Sequence, residues 1–202
     1  MEFDLEYLVR QLPVLRNGLL LTIQVSAIAI LISLFVGLLG ASIRVLRIPG
    51  LAQLVAFYVE FIRNTPLLVQ IFFVFFGLPA LGLTLSLFWS GVLALTLWAG
   101  AFQVENVRGG LAAVSAGLRE AAGALGLPRS QYLRRVGLPL AVRVGLPSML
   151  NTCVSLVKNS AYLSAIGMEE LAGVAFDRIS TDFRAFEMLA VLLVGYLSVV
   201  LT

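Results

Sequence analysis

Histidine is absent from this chain and cysteine occurs once, as Cys153. Histidine general-base chemistry, histidine-containing metal sites and an intramolecular disulfide are thereby excluded, and no metal site is expected. Charge is scarce too: 12% of the 202 residues are charged, against roughly 25% in an average soluble domain. Such a chain, 60% hydrophobic, is expected in a membrane. There is no G-x-x-x-x-G-K-[ST] loop to cradle a nucleotide phosphate. No G-x-S-x-G and no paired intramembrane acids occur either, so a membrane-embedded enzyme lacks its machinery and no catalytic residue is expected. The net charge of +3 is not read as a nucleic-acid signal, because most arginines sit in short loops between apolar runs, where they report orientation.

What is present is a series of long uncharged runs. Asn17 to Ile43 carries no formal charge; at about 1.5 Å per residue it exceeds the ~30 Å hydrocarbon core. This is the first expected span, and its length argues against a cleavable signal sequence. Ser33, Gly37 and Ala41 lie four residues apart along it, a stripe where another helix could approach closely or a set of ordinary lipid-facing small residues. The uncharged run Asn64 to Val104 is too long for one helix, and "GLPALGL" divides it. Spans two and three are therefore expected near 52–77 and 85–108. Span four is expected near 138–166, with Lys158 its only internal charge after Arg143, and span five from about Phe186 to Thr202, where the pattern stops without a basic flank. The whole of 1–202 is read as one all-α membrane domain of five transmembrane helices. Arg44 and Arg47 follow span one, and Arg108, Arg119, Arg129, Arg134, Arg135 and Arg143 cluster around the connection after span three. Positive charge favours the cytoplasm, so the N-terminus is expected outside and the C-terminus inside.

The connection at 118–139 is a cytoplasmic insert. "GLREAAGALG" is rich in alanine and leucine and free of β-branched residues, a good short helix. Pro128 is expected to end it at Leu127. "RSQYLRRVG" is expected to restart a second helix, closed by Gly137 and Pro139. Two short helices, small on one face and basic on the other, suit docking to another protein; the plainer reading is a linker held at the headgroups.

The spacing Glu120-Ala121-Ala122, three residues, Gly126, then Val136-x-Leu138-Pro139 resembles the EAA loop of membrane subunits of ABC importers. "YVEFIRNTPLLVQ", "ENVRGGL" and "SLVKNSAYLSAIG" look like segments of the polar amino acid permeases in that family. The resemblance implies the type I importer permease fold, with the insert forming coupling helices. It implies that Glu120, Ala121, Ala122, Gly126, Leu138 and Pro139 face an ABC ATP-binding subunit that carries ATP and Mg, so that no cofactor is bound by this chain. It further implies a second permease subunit (same or paralogous), an extracytoplasmic solute-binding protein and location in a bacterial inner membrane. Lys158-Asn159-Ser160-Ala161-Tyr162 departs from the family's K-[DN]-[ST]-S-L, close to the implied substrate path.

Asn151, Ser155, Lys158, Asn159 and Tyr162 share one helical face, with Thr152 on its edge. A cation at membrane depth costs from roughly 3 kcal/mol upward unless paired or hydrated. The face is therefore read as lining for a polar substrate, or else as glue between helices, with Lys158 free for a carboxylate or tied to an acid such as Glu105. The resemblance puts the pocket near Thr152 and Asn159; both are uncharged, which points to a neutral or acidic polar amino acid. Glu60 with Arg63 and Glu105 with Arg108 are i, i+3 pairs, either half-gates or internal salt bridges. Cys153 is read as packing. The rival function is an ATP-independent channel or facilitator whose basic loop binds anionic membrane lipid.

Overall fold

The computed structural model describes residues 3–114 and 116–201, all of them in helices or the turns between them, with the side chain of Arg119 not described. The expectations at Thr202 and for the Arg119 side chain lie outside the described residues. In chain order the helices are α1 (Leu5–Leu46), α2 (Leu51–Arg63), α3 (Leu67–Ala80), α4 (Leu87–Ala113), α5 (Ala116–Ala124), α6 (Arg129–Ile166), α7 (Leu171–Asp182) and α8 (Ala185–Leu201). By length and composition α1, α4 and α6 can each cross a membrane, and α2 and α3 pass the same test together as a broken span or a re-entrant loop. The shorter apolar helix α8, 17 residues long, rises about 25 Å. The all-helical expectation holds, but span two is not one rod. Asn64 caps α2 by donating from Nδ2 to the Glu60 carbonyl, Thr65 Oγ1 donates to the Phe61 carbonyl, and Pro66 brings no N–H to continue the ladder.

Contacts divide the chain into two units. One comprises the described residues of Met1–Ala29, Leu67–Leu95 and Val154–Thr202; the other comprises Ile30–Pro66 and Thr96–Cys153. The first is built on Tyr7, Leu15, Leu171, Val174, Ala175 and Met188, where α7 and α8 pack on the start of α1. At its centre the buried Glu170 caps α7, accepting from the Gly173 amide at 2.8 Å, from Thr22 Oγ1 at 3.1 Å and from the Tyr196 hydroxyl at 2.8 Å.

The second unit packs Ala41, Val107, Leu111, Leu133, Ala141 and Met149 in one cluster and Val59, Ile62, Ala101 and Val104 in another. Here the expected small-residue stripe is a true helix crossing: a Cβ on Gly37 would meet Gln103 Cβ at 2.5 Å, while Ser33 and Ala41 are fully buried. The crossing of α4 with α6 is tighter still, since a Cβ on Gly110 would fall 2.2 Å from the Ala141 carbonyl oxygen.

The second insert helix departs from expectation. Gly137 and Pro139 do not close it; the helix passes through one π-helical turn, Leu133–Gly137, and continues unbroken into span four. A proline cannot accept the regular ladder behind it, and widening the preceding turn accommodates the missing donor and the ring. The same device precedes Pro79, where Phe73–Gly77 is π-helical.

Candidate functional site

The insert lies wholly within the second unit. Its first helix, α5, ends at Ala124, before the boundary expected from Pro128. The stop is made by Gly126 at φ +69°, a left-handed backbone that costs other residues roughly 1–2 kcal/mol. Around it the Leu127 amide donates to the Ala122 carbonyl at 3.0 Å and the Gly126 amide to Gly123 at 2.9 Å, which satisfies carbonyls the helix end would leave open. A Cβ on Gly126 would touch nothing within 4 Å, so backbone geometry and not space demands glycine there. Of the residues implied to couple, Ala122 is buried, while Glu120, Ala121 and Gly126 are exposed. Leu118 is 43% and Leu125 78% exposed; with Ala121 they form an apolar edge at i, i+3, i+7 that this chain leaves uncovered. Leu138 packs on the Leu133 cluster, and Pro139 is exposed just beyond the π-turn.

The polar stripe divides. In the second unit Thr152 is buried, and its Oγ1 accepts from Asn106 Nδ2 at 2.8 Å while donating to the Ser148 carbonyl at 3.1 Å. Asn106 Nδ2 also reaches Gln103 Oε1 at 3.2 Å, and Gln103 Nε2 donates to the Met149 carbonyl at 3.1 Å. Sequence reading missed Gln103 and Asn106; two amides three apart inside an apolar run were the available signal. In the first unit Ser155 and Asn159 are half-buried, while Lys158 and Tyr162 are exposed. Regular helix ends at Asn159, and Ser160–Ile166 tightens to a 3-10 helix, so Tyr162 leaves the register that the α-helical spacing assumed.

The charge pairs also rearrange. Arg108 forks onto Glu105 as expected, Nη2 to Oε2 at 2.6 Å and Nε to Oε1 at 3.1 Å. Arg63 does not pair with Glu60 among the described residues: its Nη1 lies 4.0 Å from Glu105 Oε2, and its guanidinium stands 5.2 Å over the Phe102 ring. Arg44, which the sequence offered only as an orientation signal, donates from Nη1 to Glu105 Oε1. One carboxylate therefore gathers cations from α1, α2 and α4. Glu105 is engaged by all three.

Residues 29–202 match the family model described as binding-protein-dependent transport system inner membrane component. The chain is 35% identical over 198 residues to the probable amino-acid ABC transporter permease protein PatM of Vibrio harveyi, covering 96% of this chain and 89% of that one. It is 37% identical over 171 residues to the probable glutamine ABC transporter permease protein GlnP of Bacillus subtilis, covering 85% and 78%. A crystal structure of an amino acid ABC transporter with histidines matches with a TM-score of 0.89 at 32% identity, over 100% of this chain and 94% of that one. The MetNI methionine ABC transporter in an inward facing conformation matches in fold, with a TM-score of 0.81 at 23% identity.

Proposed function

We propose a function from one premise: this chain belongs to the binding-protein-dependent transport system inner membrane component family. It is a multi-pass membrane protein with the permease fold of ABC importers. In our reading it is the transmembrane subunit of an ATP-driven importer and forms the path for a polar amino acid together with a second permease subunit. The N-terminus is outside, the C-terminus is cytoplasmic, and an external solute-binding protein delivers the substrate. ATP and Mg belong to a separate ATP-binding subunit, and the chain itself performs no catalysis.

The observation that carries the coupling role is the uncovered Leu118–Ala121–Leu125 edge, held beside exposed Glu120 on a nine-residue helix closed by Gly126. A short helix with leucines in water gains by entering a cleft. In the cycle, closure of the ATPase pair moves α5 and the start of α6, and the subunits rock between inward- and outward-facing states. The half-buried Ser155 and Asn159 and the exposed Lys158 and Tyr162 line the path in this reading, because a cation facing lipid would be costly. Thr152, already held by Asn106, offers its remaining lone pair to the substrate. Neutral or acidic polar amino acids fit these uncharged groups and one cation. Glu60, with no ion pair among the described residues, and the Glu105 cluster are the groups whose partners would change between states.

In the assembled importer, Glu120→Arg and Gly126→Trp are expected to abolish uptake while membrane insertion and basal ATP hydrolysis persist. Paired uptake and ATPase assays in proteoliposomes test this. Normal coupling in both variants overturns the docking role. Competition among glutamine, glutamate and arginine tests the substrate class, and strong arginine uptake through this pocket rejects it.

A further inference from the structure

The three guanidiniums around Glu105 are more than that carboxylate needs. Arg44, Arg63 and Arg108 face an open cavity of about 500 Å³ lined also by Val59, Glu60 and Phe102. Three cations against the carboxylates of Glu60 and Glu105 leave one positive charge in excess, and Glu60 stands on the exposed side. Among the described residues only Arg44 Nη1 and Arg108 Nε and Nη2 donate to Glu105. Each guanidinium carries five N–H donors in a fixed fork, so most remain unspent. Arg63 is the least engaged, at 4.0 Å and 44% exposed. An anion able to accept several donors at once satisfies this arrangement, and phosphate oxygens do so in the bidentate manner that arginine favours.

The surroundings narrow the phosphate. α2, which supplies Val59, Glu60 and Arg63, also carries Leu54, Phe57 and Phe61, 61%, 66% and 55% exposed, with the two rings stacked at 6.0 Å. These three recur at i, i+3, i+7 and make an apolar stripe leading away from the charged cavity. Arg44 and Arg108 also mark the basic ends of spans one and three, the level where headgroups lie. Basic pockets between transmembrane helices on the cytoplasmic side suit anionic headgroups.

We propose that the Arg44–Arg63–Arg108 cavity binds a phosphate group, that of an anionic phospholipid whose chains lie along Leu54, Phe57 and Phe61. The lipid phosphate bridges α1, α2 and α4, completing from outside the chain the charge balance that Glu105 leaves incomplete. The cavity shares Glu60 and Glu105 with the proposed state-dependent contacts, so its test reads lipid retention and not transport.

The test uses the assembled transporter in nanodiscs of phosphatidylcholine containing graded phosphatidylglycerol, with retained lipid quantified by mass spectrometry after a delipidating wash. Wild type is expected to retain phosphatidylglycerol in preference to phosphatidylcholine. Arg63→Gln, which breaks no close hydrogen bond, is expected to retain roughly fivefold less, with Arg63→Lys in between. Inorganic phosphate is the second probe and is expected to leave the lipid in place. Displacement by inorganic phosphate assigns the cavity to a soluble anion and overturns the lipid assignment. Equal retention by wild type and Arg63→Gln overturns the site altogether. If Arg63→Gln fails to assemble, absence of any phosphatidylglycerol preference in wild type overturns it as well.

Discussion

Glu170 in one unit and Glu105 in the other are both held away from bulk solvent, and by opposite means. Glu170 is fully buried and, among the described residues, meets neutral donors, the Thr22 and Tyr196 hydroxyls and the Gly173 amide. Glu105 is 17% exposed and sits among three guanidiniums from three helices. The first arrangement offers the carboxyl hydrogen bonds but no counter-charge among the described residues. The second requires the charge, because without it three cations crowd one another. The comparison separates a carboxylate that caps and packs from one that organises a charged surface.

The largest test of that contrast is Glu105→Gln. Removing one partner of a buried ion pair costs several kcal/mol, and because Arg63 and Arg108 reach solvent the expected loss is about 3 kcal/mol. It is read as a lowered thermal midpoint of the detergent-purified assembly. Adding Arg44→Gln is expected to recover part of it by relieving the cation excess. Next in size is Glu170→Ala, which removes the cap of α7 and strands two hydroxyls, an expected loss of about 2 kcal/mol by the same measurement. Glu170→Gln keeps the shape and an acceptor and is expected to cost under about 1 kcal/mol. A Glu170→Gln variant as damaged as Glu105→Gln would erase the distinction.

The smallest effect is in pH dependence. Burial pushes the Glu170 carboxyl above the ordinary carboxylate range, with hydrogen bonds from Tyr196, Gly173 and Thr22 offsetting it only in part. A carboxyl that holds its proton more tightly when folded contributes stability that is fully present below its unfolded value. That contribution is lost as pH rises through the folded value. The thermal midpoint is therefore expected to decline across that window in wild type and to lose this component in Glu170→Gln.

How much of this was legible in the sequence is seen best in one tripeptide. Gly-Leu-Pro occurs at 77–79, 126–128, 137–139 and 145–147, and a local rule reads each as a break. Only at 126 does the glycine turn left-handed and end a helix. At 77 and 137 a π-turn carries the helix through, and at 145 the helix continues around Pro147. Tertiary packing decides. Gly137 lies against Leu111 and Leu133, where a Cβ would stand 3.2 Å from Leu111 Cδ2, whereas Gly126 has open space around it. The apolar runs, the Gly37 crossing and the Glu105–Arg108 fork follow from spacing along one chain segment and were readable. The joining of Arg44 and Arg63 on Glu105, and of Asn106 on Thr152, depends on which helices become neighbours, which spacing within a helix does not encode.

Because α6 begins at Arg129 in the insert and runs on to Ile166, the end proposed to dock and the apolar length are parts of one helix. Sliding that helix by a single residue to suit a thicker or thinner bilayer moves Arg129 by about 1.5 Å along the membrane normal. In the proposed importer, lipids of different chain length are therefore expected to change how firmly the start of α6 engages the ATP-binding subunit.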